Sequence, residues 1–459
     1  MDSGVHVLLF PWPRQGLINP MLHFATALVD SGIHVTFLHT EHNLRLITRT
    51  PPLRLRLLSV PDGLPDDHPR TSMELLESMC TTGSAAYRAL LLSLRSAAAT
   101  PVTCVVADCL MPFAIEIAEE LGIPALAFGP FSAFSHLAML AVPKLVEQGQ
   151  IPSRADDPVT GVLGMKGFLR PRDLPRGHSG GAATEQGHVD PMVLKYAEVI
   201  ARSCKARALI LNTAASMERP AVAHIASRTR DVFTIGPLHA RSTSAAGASL
   251  WREDNGCMAW LDGHEDRSVV YVSLGSLAVI SQDQFTEFLS GLTVTGYAFL
   301  FVLRPGMVQV TSSTLFQEAV GAAEAGKARI VEWAPQLDVL RHPAVGCFLS
   351  SHTRRLELDA RVRRRGSADG VLAMKTNSRV VGAVWKTGLD MKDVCDRAIV
   401  ERMVKEVMVS GEIRAAAQTM AQQLRLDIAE GGSSSSELER LVRYIRELSI
   451  KSGRRSIQN

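Results

Sequence analysis

Short apolar runs alternate along the first half of this chain with segments whose apolar residues recur at helical spacing. The first run, Val5 to Phe10, is followed by helical spacing from Met21 to Ser31 and by a second run, Val35 to Leu38. This order predicts a strand–helix–strand unit. The pattern predicts a further helix at Ala114 to Leu121. It also predicts further strands at Cys104 to Ala107, Pro124 to Phe128 and Ala208 to Leu211. Repeated units of this kind favour an α/β fold with a parallel, doubly wound sheet.

The alternation starts again in the second half, after a segment rich in small polar residues. Phe233 to Pro237 closes the first series, Arg241 to Ser249 has the composition of a linker, and Ser268 to Leu274 opens a second series of strands. Gly177 to His188 lacks periodicity and is predicted to be an exposed loop. We therefore expect two domains. Their predicted bounds are residues 1–237, a linker at 238–252, residues 253–435, and a terminal helix with its tail at 436–459.

The chain ends with a predicted amphipathic helix. Gly431, Gly432 and a run of serines come before it, and Ser436 with Glu439 fits a capping box. One apolar stripe follows at Leu438, Leu441, Ile445 and Leu448. Two interpretations stay open, because the helix either packs back across the first domain or is an ordinary surface helix.

The composition is that of a globular chain without unusual charge. Of the 459 residues, 46% are hydrophobic and 21% are charged, and the formal net charge is +3. Neither disorder nor a general attraction to nucleic acids or membranes is therefore expected. The seven cysteines contain no Cys-x-x-Cys pair and fit reduced thiols in a cytoplasmic protein. The opening residues lack a signal-peptide pattern, and no apolar stretch of about 18 residues predicts a membrane span.

One segment of the second half carries candidate ligand-binding chemistry. Ala328 to Val331 is predicted to be a strand, so the segment from Trp333 to Gln336 follows its carboxyl end, where open α/β sheets bind ligands. The Trp333 indole can stack on a flat base, and Gln336 can hydrogen-bond a sugar hydroxyl. A proline-containing loop with a core tryptophan is the alternative. The pattern continues through Val339, Leu340 and His342 to Phe348.

This longer run resembles the first half of the signature box of plant family 1 UDP-glycosyltransferases, the secondary-product glycosyltransferases. The resemblance extends over most of the chain. It includes Phe10-Pro11-Trp12-Pro13, Gln15-Gly16, Trp260-Leu261-Asp262, Val269 to Ser276 and Thr376-Asn377-Ser378-Arg379. It implies the GT-B fold, in which two Rossmann-like doubly wound domains face each other, the first binding an acceptor and the second a UDP-sugar. By this resemblance the donor-site residues are Gly275, Ser276, Trp333, Ala334, Gln336 and His352.

The resemblance also implies a catalytic pair in the first domain. In the family, a histidine after the Gln-Gly pair takes the proton from the acceptor hydroxyl, and an aspartate at a neighbouring strand end orients it. By register that aspartate is Asp108, for which a helix N-cap or a solvated loop carboxylate is the alternative. This chain has Leu17 at the histidine position. Because an alkyl group accepts no proton, a loss of about 10²–10⁴-fold is expected. His23 is interpreted as a surface or core histidine and not as a replacement.

Two further segments depart from the family. Gly129-Pro130 stands where relatives commonly carry Arg-Thr, so the threonine that touches the donor sugar is missing. After Phe348 the family continues with Gly-Trp-Asn-Ser and ends with Asp-Gln, whereas residues 351–373 of this chain are rich in arginine. Codons permitted for Arg355 to Asp359 encode Gly-Trp-Asn-Ser when they are read one base later. We hypothesise that residues 351–373 are a wrong-frame translation, from a damaged gene or an erroneous gene model; a diverged basic insertion is the alternative.

The resulting hypothesis is a glycosyltransferase by descent that moves a hexose from a UDP-sugar to a small hydrophobic acceptor, with inversion. Glucose is the commonest sugar in such enzymes. No metal or other cofactor is expected, and the protein is expected to be a monomer. Transfer is expected to be impaired, and a carboxylate acceptor, which is already ionised at pH 7, needs no base. A non-catalytic protein that binds UDP or a hydrophobic small molecule, and an unstable pseudogene product, are the alternatives.

Overall fold

A seven-stranded sheet lies in the N-terminal half of the chain and a six-stranded sheet in the C-terminal half. Strands alternate with helices in both halves, so the predicted α/β class is confirmed. The structure is a computed structural model that describes residues 4–47, 55–97, 101–153, 157–174, 189–241, 253–275, 280–309, 326–351, 356–359, 374–390 and 396–458. The predicted loop Gly177 to His188 and nearly all of the predicted linker lie outside these residues.

The first sheet is parallel throughout. Its strands are β1 (His6–Phe10), β2 (His34–Thr40), β3 (Arg56–Val60), β4 (Cys104–Asp108), β5 (Ala125–Gly129), β6 (Leu209–Leu211) and β7 (Val232–Thr234). Their order is β3-β2-β1-β4-β5-β6-β7. Every residue of β1, β4 and β5 is buried, which explains why these central strands read as continuous apolar runs. The order reverses between β1 and β4, and a crevice for ligands is expected at the carboxyl ends of these two strands.

Helices cover this sheet, and the first of them starts earlier than the sequence predicts. They are α1 (Gln15–Asp30), α2 (Glu41–Leu46), α3 (Ser72–Ser78), α4 (Ser84–Ala97), α5 (Pro112–Glu120), α6 (Ala133–Glu147), α7 (Pro191–Ser203) and α8 (Ala215–Ala226). Helix α1 begins at Gln15, not at Met21, and continues through Pro20. Proline removes one hydrogen bond from a helix. The buried side chains of Ile18, Met21 and Leu22 nevertheless anchor the helix on both sides of Pro20.

The second sheet contains one strand that runs against its neighbours. Its members are β8 (Val269–Ser273), β10 (Ala298–Val302), β12 (Ala328–Val331), β13 (Val345–Ser351), β14 (Leu356–Asp359) and β15 (Gly388–Asp390), whereas β9 (Ile280–Ser281) and β11 (Val308–Gln309) form a separate pair. The order is β12-β10-β8-β13-β14-β15, and β14 is antiparallel to both β13 and β15. The remaining helices are α9 (Gly256–Asp262), α10 (Gln282–Val294), α11 (Gln336–Arg341), α12 (Met374–Val380), α13 (Arg397–Val409), α14 (Gly411–Ile428) and α15 (Ser433–Gln458).

The last helix, α15, packs on the first sheet. Its buried residues Leu438, Leu441, Ile445 and Leu448 belong to the same apolar cluster as Val7, Phe24 and Phe233. The capping box predicted at Ser436 is wrong, because α15 begins at Ser433 and Ser436 already lies inside it. Hydrogen bonds explain the earlier start, since Ser433 Oγ donates to Asp427 at 2.8 Å and Ser434 Oγ donates to the Gly236 carbonyl at 2.6 Å. The serine run therefore forms the first turn of the helix.

Candidate active site

Asp108 and Leu17 lie at the point where the strand order of the first sheet reverses. Phe10, the last residue of β1, pairs with Ala107, so Asp108 ends the strand beside the one that leads to α1. Leu17 lies in the first turn of α1 and belongs to the same apolar cluster as Trp12. The structure therefore brings these two predicted positions to one edge of the sheet.

The Asp108 carboxyl is fully buried and is satisfied on one oxygen. Oδ1 accepts a hydrogen bond from the Leu110 N–H at 2.9 Å, whereas Oδ2 makes no hydrogen bond that meets ordinary geometric limits within the described part of the chain. Burial raises the pKa of this carboxyl to about 7, and the N–H groups of Leu110 and Trp12 and the Cys109 thiol oppose that rise. Asp108 is not a solvated loop carboxylate, and it is not the N-cap of α5, which is Met111.

The position of the expected base holds an alkyl group that is almost completely buried. Leu17 is 1% exposed. His23, further along α1, is buried, and its ring centroid lies 6.5 Å from that of His239. Burial, followed by the charge of Arg341, lowers the pKa of His23 to about 4. His23 is therefore a core histidine that is neutral at physiological pH.

The loop after β5 carries no side-chain donor at the position of the expected threonine. Gly129 ends β5, and Pro130 leads towards the start of α6. The first N–H of that helix, from Ala133, donates to Glu218 Oε2 at 2.9 Å. This buried carboxylate was not among the predicted site residues, and nothing in the spacing of the sequence indicates that it reaches α6. Glu218 fixes the start of α6 beside the edge that carries Asp108.

The second sheet reverses its order between β8 and β13. Gly275 follows the carboxyl end of β8 and has a φ of 76°, a left-handed conformation that glycine adopts without strain. Its neighbour Ser276 and the other predicted phosphate contact, His352, lie outside the described residues. Gly275 thus lies at the crevice where the strand order predicts a ligand.

The Trp333 loop lies at the same edge of the second sheet. β12 begins and ends as the sequence predicts, Trp333 follows it, and Gln336 is the first residue of α11. Ala334 is 4% exposed and belongs to the apolar cluster against which the half-buried Trp333 packs. The Trp333 carbonyl accepts a hydrogen bond from the Asp254 N–H at 2.9 Å, which ties the loop to the segment before α9. Gly275 and this loop therefore follow parallel strands, with β10 between them.

The segment after β13 departs from the usual architecture of a nucleotide-binding sheet. β13 ends at Ser351 and β14 begins at Leu356, and the two strands pair in antiparallel register. Antiparallel neighbours can be joined by a hairpin, whereas a parallel neighbour requires a crossover of about a dozen residues, which is usually helical. So few residues join β13 to β14 that no crossover helix fits. Within the described residues, β13 is therefore not followed by the helix N-terminus that commonly binds a diphosphate at such a crevice.

The chain is similar over nearly its whole length to known plant glucosyltransferases. The chain is 41% identical over 478 residues to myricetin 3-O-rhamnoside 1,2-glucosyltransferase of Crocosmia x crocosmiiflora, in an alignment that covers 98% of this chain and 97% of that protein. The chain belongs to the plant UDP-glycosyltransferase family. A second member of the family, 7-deoxyloganetic acid glucosyltransferase of Catharanthus roseus, is 37% identical over 484 residues, which cover 97% of this chain and 98% of that protein.

A family model and solved structures agree with this assignment of the chain to the UDP-glycosyltransferases. The model described as UDP-glucoronosyl and UDP-glucosyl transferase matches residues 206–354. Os79 from O. sativa, solved in complex with UDP, is 27% identical, with a TM-score of 0.75 over 97% of this chain and 100% of Os79. A UDP-glucose:anthocyanidin 3-O-glucosyltransferase in complex with UDP shares the fold, with a TM-score of 0.78 and 21% identity. These likenesses confirm the predicted GT-B fold class.

The described part of the chain shows neither a metal-binding cluster nor a membrane-spanning helix. Within the described ranges, no group of three His, Cys, Asp or Glu side chains is arranged to hold a metal ion. Among the helices that the structure describes, none combines the length and the apolar character needed to cross a bilayer.

Proposed function

We propose that this chain is, by descent, an inverting glycosyltransferase that uses a UDP-sugar and a small hydrophobic acceptor, and that its own transfer activity is impaired. The observation that carries the donor half of this proposal is the Trp333 loop at the carboxyl edge of the six-stranded sheet. The sugar is proposed to be a hexose, with glucose favoured because the relatives named above are glucosyltransferases. UDP-sugar is the only co-substrate proposed.

The proposed donor site uses the carboxyl edge of the second sheet. The Trp333 indole stacks on the uracil, and Gln336 binds a ribose hydroxyl. Gly275 lets the backbone approach the diphosphate closely, with Ser276 and His352 as the further predicted phosphate contacts. Ala334 keeps the loop anchored in the apolar cluster below it.

The proposed acceptor site uses the carboxyl edge of the first sheet. In the reaction the acceptor oxygen attacks the anomeric carbon, the bond from that carbon to the UDP oxygen breaks, and a base removes the acceptor proton. Asp108 would orient an imidazole and stabilise its charged form, but Leu17 supplies no imidazole. Hydroxyl acceptors therefore keep their proton during the attack, and turnover falls. An acceptor carboxylate avoids this loss because it is already ionised.

The hairpin from β13 to β14 supports a second cause of impairment. It replaces the connection that would direct a helix N-terminus towards the diphosphate. We accordingly propose that residues 1–237 serve the acceptor, residues 253–435 serve the donor, and the protein acts as a cytoplasmic monomer. Five of the described cysteines form no disulfide, which supports the proposed location; they are Cys80, Cys104, Cys109, Cys204 and Cys257.

Replacing Trp333 with alanine is expected to weaken UDP binding about 5- to 150-fold, because stacking on an aromatic ring is worth about 1–3 kcal/mol per base. Isothermal titration with UDP measures the change. Trp333→Phe retains a ring face and should keep most of the affinity. Trp260→Ala is the matched control, since that indole packs at 4.1 Å on His264. Equal losses for Trp260→Ala and Trp333→Ala would contradict a uracil site at Trp333.

A non-catalytic binding protein is the alternative, and Leu17 combined with a retained Trp333 favours it. Mass spectrometry of the purified chain with UDP-glucose and a panel of phenols, alcohols and carboxylic acids separates the two functions. Glycosylated product supports transfer, and a preference for carboxylic acids supports the missing base as the cause of impairment. Saturable UDP binding without product or hydrolysis supports the alternative. An unstable pseudogene product would lack a cooperative thermal melt.

A further inference from the structure

A buried network of charges joins the two halves of the molecule. In the first half it contains Arg170 and Asp173, at either end of a short turn. Arg170 donates to both carboxylate oxygens of Asp173, at 2.7 Å each. The two side chains are 6% and 0% exposed. When an ion pair is buried this deeply, an additional buried charge without a partner of opposite sign strongly destabilises the folded state.

The second half supplies one anion, which faces Arg170, and one cation, which faces Asp173. Asp390, in β15, lies 3.4 Å from Arg170. Arg379, in α12, lies 3.6 Å from Asp173, and its Nε donates to the Phe168 carbonyl at 2.9 Å. Each cation therefore faces an anion across the junction, and the four groups together carry no net charge. The match holds in one mutual orientation of the halves, because a sliding motion would bring like charges together.

Neutral hydrogen bonds extend this junction along α12. Thr376 Oγ1 donates to the Asp173 carbonyl at 2.9 Å, and Asn377 Oδ1 accepts from the hydroxyls of Ser132 and Ser135 at 2.6 and 2.8 Å. Both serines belong to the start of α6, which follows Gly129. The helix that carries Arg379 is thus tied to the edge of the first sheet.

We propose that Asp173, Arg170, Arg379 and Asp390 are positioning residues that hold the two sheet edges in the one orientation in which donor and acceptor can meet. This proposal rests on the proposed function, because only a transferase needs both edges aligned. The charges act through the placement of α12 and β15 and touch neither substrate. An apolar junction of similar size would hold the halves together without fixing their angle, whereas four alternating charges select one angle.

Neutralising one charge at a time tests the proposal. Arg379→Gln and Asp390→Asn each leave an unmatched buried charge, so each variant is expected to increase the radius of gyration in solution X-ray scattering. Each is also expected to split a single calorimetric transition into two that are about 5–10 °C apart. The double variant keeps only the neutral Arg170–Asp173 pair, so it should recover a single transition because no buried charge is unmatched, while its radius stays larger than in the unaltered chain because no charge pair across the junction fixes the angle.

The controls separate positioning from ordinary stability. Arg202 and Glu116 form an exposed pair at 2.7 Å within the first half, so Arg202→Gln should leave one transition and an unchanged radius. Strictly additive losses in the Arg379 and Asp390 variants, with an unchanged radius, would overturn the proposal, as would two transitions in the unaltered chain. None of these measurements uses UDP or an acceptor. Failure of UDP binding would therefore refute the donor site and leave this test intact.

Discussion

Leu17→His is expected to raise transfer to hydroxyl acceptors by about 10²–10⁴-fold, the usual contribution of a general base. The comparison is made in a chain whose residues 351–373 are restored to the family's Gly-Trp-Asn-Ser order, so that donor binding does not limit the rate. The new imidazole would enter the first turn of α1, at the same edge of the sheet as Asp108, whose Oδ2 makes no hydrogen bond among the described residues. Initial rates with a phenol and UDP-glucose, measured by liquid chromatography, give the ratio.

Two controls tie this gain to proton transfer. Leu17→Asn introduces a polar side chain of moderate size that is not a base, and it should leave the rate within a few-fold of the starting chain. Asp108→Asn in the Leu17→His background should remove most of the gain, because the imidazole loses the carboxylate that stabilises its charged form. An equal gain with asparagine, or a gain that survives the loss of the Asp108 charge, would rule out the assigned roles.

The sequence predicts seven of the fifteen described strands, and five of these seven (β1, β4, β5, β6 and β8) are buried at every residue. β12 has the predicted bounds, and β1, β4, β5 and β8 differ from their predictions by a residue or so at an end. Helix starts are harder to predict. The proline at position 20 obscures the beginning of α1, and one of the two bonds that set the start of α15 runs from Ser434 to Gly236, 198 positions away in sequence.

A site residue can be predicted from the sequence only where a chemically suitable side chain lies next to the end of a recognisable strand. Trp333 and Asp108 each follow or end a buried strand, so a pattern of strands locates them. The reversed direction of β14 was not predicted, because strand direction depends on which neighbour the backbone pairs with and not on side-chain periodicity. Glu218 and the Arg170–Asp173 pair act across tertiary contacts, which leave no spacing signal along the chain.

Asp108 is expected to make the stability of this protein fall as the pH rises from about 4 to about 7. Burial raises the pKa of its carboxyl to about 7 from the ordinary value of 3.8, so between these values the folded state holds a proton that the unfolded state has lost. The resulting stability is fully present below about pH 4 and is lost as the pH rises through about 7. At 1.36 kcal/mol for each pKa unit, the loss is about 4 kcal/mol.

Urea unfolding of the unaltered chain and of Asp108→Asn, at pH 5 and pH 8, measures this contribution. The difference in unfolding free energy between the two pH values should shrink in Asp108→Asn, because an amide does not titrate, whereas the exposed Asp67→Asn should keep it. A pH dependence that survives unchanged in Asp108→Asn would show that Asp108 is not the titrating group.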